Sequence, residues 1–316
     1  MKKTIAILGG GNGAHTMAAD LAMRGYRVRM YEDAAFIGKL SVLRDTLTIR
    51  CTGLLTGEGK IDLLTDNMAE AIDGADYIAV VTPSTAHVAV AQKLKGLVKK
   101  EQVILIYPGG FGALEFKQVL GDECPLIVQT NNLPYDTRLS GPASIYCSGM
   151  SPVSVALFPA DGDRAVLEDV MDISPYDRIY GDVLESDLSL VNPSVHSGPC
   201  LINIGAIEQQ ALRGQFCMYE HFTFGAAKID WAIDAERKAV GAAFGYQLYQ
   251  RVRLCLFRPS AESVAVMLSC LGLFLYSQAD PGEFIPVPFA VLGVLLYVML
   301  ERHAEEREGR LTVLPQ

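Results

Sequence analysis

The sequence predicts an α/β N-terminal domain on a doubly wound, mainly parallel sheet, followed by an all-α C-terminal domain. Three observations predict it. A short β-rich run opens the chain and ends in a glycine turn; two apolar runs at 76–82 and 102–107 are each followed by a helical stretch; and from Gly181 onward strands give way to helical periodicity. The expected boundaries are 1–180 for a cofactor-binding domain and 181–316 for a helical substrate and dimerisation domain.

Size and charge narrow the function. A chain of 316 residues accommodates two domains and a large core, and with half of it apolar and a fifth charged it has the composition of a folded protein. The net charge of -9 argues against a nucleic-acid partner, because neutralising phosphates needs clustered Lys and Arg. Seven cysteines, at 51, 124, 147, 200, 217, 255 and 270, form neither a C-x-x-C pair nor a regular framework. Free thiols in a reducing compartment are expected, hence a cytoplasmic protein. Lys2 and Lys3 resemble the start of a signal peptide, but the apolar core after them is five residues long and runs into glycines, so it reads as a strand.

Taken in order, Thr4–Leu8 is the first strand, Gly9 to Ala14 the turn, and His15 to Arg24 a helix stopped by Gly25. The turn fits G-x-G-x-x-A. Gly9 makes the bend, Gly11 lets backbone approach a pyrophosphate, Asn12 and Gly13 are further cofactor-binding candidates of the turn, and Ala14 permits close packing, so the phosphates meet the helix N-terminus. Tyr26 to Glu32 follows as the second strand, with Glu32 about 20 residues past the turn, where an acid accepts hydrogen bonds from a ribose diol. This is a Rossmann-type dinucleotide site. The acid favours NAD over NADP, with Arg27 and Arg29 pulling the other way. The next strands end in Thr82-Pro83-Ser84 and Pro108-Gly109-Gly110, where open parallel sheets bind ligands, although plain turn chemistry accounts for those residues equally well. His87 falls in the helix after Thr82 and reads as structural or supporting. Leu126–Thr130 and Val153–Phe158 complete the sheet, and the domain closes near Tyr180.

In the second half, Leu184 to Arg213 and Phe222 to Phe244 read as helices, the first interrupted at Gly198-Pro199. Asn192-Pro193-Ser194-Val195-His196 places one imidazole among apolar residues at the junction of the halves. His exchanges a proton near neutral pH, which suits general acid/base work, and a satisfied core histidine is the competing reading. Asn192 either shares a helical face with His196 or caps the helix ahead of Pro193. Residues 228–238 read as a helix with one solvated face.

These pieces together resemble the octopine/nopaline (opine) dehydrogenase family. The matching motifs are Gly9 to Ala14, Pro108 to Phe116, Thr130 to Tyr135, Asn192 to His196 and Ala232 to Arg237, in order and spacing, over residues 4 to about 245. The resemblance implies NAD(P)H-dependent reductive condensation of an amino acid with an α-keto acid such as pyruvate, through an imine, with His196 as general acid/base. It also implies that an acidic residue orients that histidine.

Beyond Gly245 the resemblance fails. The family carries an Arg-Tyr-x-x-Glu-Asp-x-Pro element late in the chain, whose counterpart here, 275–281, keeps Tyr276 and Asp280 but has Leu275 and Ala279. Asp280 is the candidate partner of His196. Gln129 stands where many relatives have Glu. Two charge-free runs, Val264 to Tyr276 and Phe284 to Leu300, suit a core or dimer-interface helix; as a helix the second reaches ~25 Å, short for a ~30 Å bilayer core, so a homodimer is expected rather than membrane insertion. Loss of ancestral sequence here is a further reading. Arg138, Arg213 and Arg258 are candidates for a keto acid's carboxylate. Two other functions compete. One is a carbonyl reductase like glycerol-3-phosphate dehydrogenase or ketopantoate reductase, families that use a lysine proton donor, whereas no lysine lies between Lys117 and Lys228. The other is a catalytically impaired NAD-binding protein.

Overall fold

The computed structural model describes residues 2–210, 214, 216 and 218–248. Along the chain the elements are β1 (Thr4–Leu8), α1 (Asn12–Met23), β2 (Arg27–Tyr31), α2 (Ser41–Thr46), β3 (Thr48–Gly53), β4 (Gly57–Lys60), β5 (Leu63–Thr65), α3 (Met68–Ile72), β6 (Tyr77–Val80), α4 (His87–Leu94), β7 (Val103–Ile106), α5 (Gly112–Leu120), β8 (Leu126–Thr130), β9 (Tyr135–Gly141), β10 (Ser144–Met150), β11 (Val153–Phe158), α6 (Val166–Ile173) and β12 (Tyr176–Ile179). Helices α7 (Val183–Leu188), α8 (Asn192–Ile202), α9 (Ile204–Glu208) and α10 (Phe224–Ala243) follow.

The main sheet has the order β12-β11-β8-β7-β6-β1-β2-β5. Its pairs are parallel except β11 with β8. Both faces are covered, and β1 shows why a continuous apolar strand is needed: Ile5 and Ile7 enter one hydrophobic cluster, Ala6 and Leu8 the other. The strand order reverses direction between β1 and β6, so the crevice of the doubly wound sheet opens between the glycine turn and Thr82.

A second sheet, β4-β3-β10-β9, was not legible in the sequence. It packs on α1. Gly59 is needed there, since a Cβ on it would lie 2.5 Å from the Ala19 Cα, and Ala18 and Ala19 keep the helix flat enough for that approach. The pairing is further pinned by Thr16 and Thr137, whose hydroxyls are 2.7 Å apart, and by Tyr135, which donates to Asp20 at 2.7 Å.

The helical half departs from the expected long helix over Leu184 to Arg213. Asp182 caps α7, accepting from the Glu185 amide at 2.9 Å, and α7 stops at Leu188. A new helix then starts at Asn192, because Pro193 has no N–H to continue the old one but fits a first turn. The Gly198-Pro199 pair, expected to interrupt, lies inside α8 instead. Pro199 lacks an N–H, and the Gly198 N–H turns to Asp230 on α10, 2.8 Å away. The expected helix at 222–244 is present as α10, with Thr223 as its N-cap.

Candidate active site

The nucleotide cradle is built mostly from backbone. Gly9 has φ +123°, and a Cβ there would lie 2.5 Å from the Val81 carbonyl, so only glycine fits between β1 and β6. The side of Gly10 is filled by the Glu32 carboxylate and by Leu40. Gly13 is covered by Leu133, 2.7 Å from where its Cβ would be, and Ala14 is fully buried. Gly11 alone faces open space, at the start of a helix whose first turn holds no acid and whose N-cap makes no side-chain bond. Room beside unpaired first-turn amides is what a pyrophosphate requires, so these residues fit a dinucleotide.

Other residues expected at this site are brought to its rim. Glu32 follows β2, its Oε1 accepting from the Asp33 amide at 2.8 Å. Thr82 follows β6 with a buried hydroxyl that has no hydrogen-bond partner, and its methyl is 3.2 Å from the Gly9 Cβ position. Pro83 is exposed beside it. The Asn12 side chain ties α1 to β9, its Oδ1 accepting from the Leu139 amide at 2.8 Å.

One turn further along the sheet, Pro108 to Phe111 rounds the end of β7. Phe111 adopts φ +66° and leads into α5. Gly109 is required because Gln129 fills the space of its Cβ. Gln129 is fully buried and uses both ends of its amide: Oε1 accepts from the Ala113 N–H at 3.0 Å, and Nε2 donates to Asp187 Oδ1 at 2.9 Å. Asp187 is 7% exposed. Burial pushes its carboxyl up to about 6, against the amides of Phe111 and Gly110 and the Gln129 side chain, which favour the anion. His87, wholly buried, has Nδ1 3.6 Å from the Glu115 carboxylate, and burial holds its pKa below the ordinary value.

His196 sits half-buried on α8, and Asn192 lies one turn before it on the same face. The helix N-cap is Val191, with no side-chain cap bond, so Asn192 is not the cap. The carboxylate near His196 is Asp230 of α10. It is 1% exposed; burial raises its pKa, while the Gly198 amide and the His196 charge favour its ionised form. Sequence reading missed Asp230. Its signal was Gly198, where a Cβ would lie 2.6 Å from Asp230 Oδ1, so that the glycine lets α10 close on α8. Asp280, the expected partner, lies outside the described residues, as do Arg213, Arg258 and both apolar runs. Arg138, on β9, donates to the Thr137 carbonyl at 2.7 Å. Among the described residues no group of His, Cys, Asp and Glu could hold a metal, and no helix is long and apolar enough to cross a membrane.

Comparison with known proteins agrees with this layout. Residues 4–142 match the family described as NAD-dependent glycerol-3-phosphate dehydrogenase N-terminus, and residues 179–264 match the NAD/NADP octopine/nopaline dehydrogenase, alpha-helical domain. An opine dehydrogenase of Arthrobacter sp. (strain 1C) is 30% identical over 249 residues, 77% of this chain and 68% of that protein. The fold resembles an octopine dehydrogenase solved with NADH and agmatine (TM-score 0.58, 21% identity, 77% of this chain), of which it spans 64%. It also resembles a yersinopine dehydrogenase with NADP+ bound (TM-score 0.65, 17% identity, covering 95% and 77%). A ketopantoate reductase from Ralstonia eutropha JMP134 is similar along nearly its whole length (TM-score 0.60, 18% identity, 95% and 99%). A nicotinamide dinucleotide is thus the cofactor of this α/β plus helical architecture, and the chain belongs to the octopine/nopaline (opine) dehydrogenase family of oxidoreductases.

Proposed function

We propose that this protein is an opine-type dehydrogenase that joins an amino acid to an α-keto acid such as pyruvate and reduces the imine formed. The observation that carries the reading is His196 beside buried Asp230, in a helical half that matches the family's helical domain. Bound NAD(H) supplies or accepts a hydride. Gly11 and the helix start beside it would hold its pyrophosphate, with Gly9, Asn12, Gly13 and Ala14 shaping the turn around it, and Glu32 would accept from the adenosine ribose, which favours NAD over NADP. Thr82, Pro83 and the turn after β7 lie on the other side of the glycine turn from β2 and would receive the nicotinamide end of the cofactor.

The amine and the keto carbonyl condense with loss of water, one hydride reaches the imine carbon, and one proton ends on the nitrogen. Protonated His196 polarises the acceptor and supplies that proton; neutral His196 takes it back in reverse. Asp230 stabilises the imidazolium and fixes the ring. Asn192, one turn away, helps position the substrate, and Asp280 is a further acidic contributor from the late segment. Residues 1–180 serve the cofactor and 181–316 the substrates and a homodimer contact. The thiols of Cys51, Cys124 and Cys147 support a cytoplasmic setting.

The test is NADH oxidation with pyruvate and an amino-acid panel. His196→Ala is expected to lower turnover by about 10²–10⁴-fold with NADH affinity unchanged. Unchanged turnover would remove the acid/base assignment. Oxidation that needs no amine would favour the carbonyl-reductase reading, which the full-length likeness to a ketopantoate reductase supports.

A further inference from the structure

The end of β2 is tied to α4 by a lysine. Lys93, in the last turn of α4, sends its ammonium across to β2, where it donates to the Tyr31 hydroxyl at 3.0 Å and to the Asp33 carboxylate. Glu32 stands between those two residues in the chain, and its carboxylate fills the side of Gly10 in the nucleotide turn. Residues two apart share a side of an extended chain, so a ribose over the end of β2 has Glu32 on one side and the Asp33–Lys93 pair on the other. Asp33 also anchors the loop that follows. Its Oδ1 accepts from the Ala35 amide at 2.9 Å, and its carbonyl accepts from the Phe36 and Ile37 amides at 2.8 and 2.9 Å. One carboxylate oxygen thus shapes the loop while the other holds the lysine. The two arginines of β2 are placed elsewhere. Arg27 pairs in register with Thr4, at the far end of the strand from Glu32, and Arg29 donates to the Glu70 and Asp73 carbonyls at the end of α3.

We propose that the Asp33–Lys93 pair determines specificity at the adenosine end of the cofactor: Asp33 holds Lys93 away from a 2′-phosphate and so strengthens the preference for NAD. This rests on the adenosine ribose lying at Glu32, as proposed above. Two carboxylates and one ammonium leave the strand end negative, and a 2′-phosphate would bring about 1.5 to 2 further negative charges to it. Such a phosphate would also have to win Lys93 from Asp33. With the Asp33 charge removed, an ammonium already oriented by the Tyr31 hydroxyl is left for a phosphate oxygen. Lys93 is solvent-exposed, so a ligand reaches it without unpacking α4.

The experiment measures NADH and NADPH binding to the full chain by calorimetry and reads the ratio of the two dissociation constants. Asp33→Asn keeps an acceptor for the Ala35 amide and removes the charge; Lys93→Met keeps the apolar stem on α4 and removes the ammonium. Wild type is expected to prefer NADH. Asp33→Asn shifts the ratio toward NADPH by about tenfold, and the double variant Asp33→Asn/Lys93→Met shifts it back. The gain in Asp33→Asn shrinks at high salt, as a phosphate contact requires. Lys93→Met alone moves the ratio away from NADPH by about threefold. If Asp33→Asn does not fold, this variant decides, and an unshifted ratio overturns the proposal. An Asp33→Asn ratio equal to that of wild type overturns it as well. So does a gain that survives in the double variant, since Lys93 is then not the receptor. A wild-type ratio near one overturns the NAD preference read from Glu32; the pair is then upheld by a step of about tenfold between the single and double variants and overturned without one.

Discussion

The glycine cradle after β1 and the clasp between β8 and α7 lie at the carboxyl ends of the same sheet but are made of opposite materials. The cradle is backbone: Gly9 bends where no side chain fits, and Gly11 leaves room for a ligand. The clasp is side chain: Gln129 fills the space over Gly109 and donates to the buried Asp187 carboxylate. A site made from backbone depends on residues that lack side chains and is indifferent to pH. A site made from a buried ion depends on the ion's charge and is strained by it. The difference teaches that one sheet edge can hold a backbone cradle of fixed polarity beside a buried titratable carboxylate.

The largest effect that would break this contrast is expected at the cradle. Gly9→Val forces a β-branched residue to φ +123° with the Val81 carbonyl 2.5 Å from its Cβ. A loss of about 4 kcal/mol in denaturant unfolding, equal at pH 5 and 8, is expected. A loss under 1 kcal/mol would mean that the turn can be rebuilt.

The clasp should respond with the opposite sign. Asp187 has a folded pKa raised from 3.8 to about 6, so the folded state holds the proton longer than the unfolded one. Stability therefore falls as pH rises from about 4 to about 6 and levels off above. Removing the charge in Asp187→Asn should make the protein more stable than wild type at pH 7.5, by at most about 3 kcal/mol, with the gain shrinking toward pH 4. Thermal unfolding at several pH values measures this. A variant that is less stable than wild type at pH 7.5 would make Asp187 an ordinary structural acid.

The smallest effect sharpens the boundary between the regions. Thr223 Oγ1 accepts from the Ala226 amide at 3.2 Å at the start of α10. Thr223→Ala should cost about 1 kcal/mol and leave NADH binding unchanged, because it weakens the helix that carries Asp230 without touching the cradle. A concurrent loss of NADH affinity would couple the two regions more tightly than their separate chemistry suggests.

Local sequence carried the cradle almost whole. Gly9, Gly11, Gly13, Ala14 and Glu32 are close in the chain, and each is chosen for a local geometric reason that spacing exposes. The strands at 77–80, 103–106, 126–130 and 153–158 were legible because burial on both faces demands unbroken apolar runs. The small sheet was not, since Gly57–Lys60 holds no apolar side chain and Ser144–Met150 alternates in burial but not in residue type, and only α1 gives them a surface to cover. The Asn12 side chain adds a bond to a strand 127 positions away that its place in the turn did not reveal.

The sequence by itself determined the α/β domain, its nucleotide turn, the helical second half and the presence of His196 at the junction. Tertiary structure decided which groups lie near that histidine and that turn. Asp230 and His196 are 34 residues apart and come within electrostatic range because Gly198 lets two helices close together, and Gln129 and Asp187, 58 apart, meet because α7 folds back onto β8. Local patterns record the geometry of neighbours along the chain. A buried polar pair is recorded only in the packing that desolvates it.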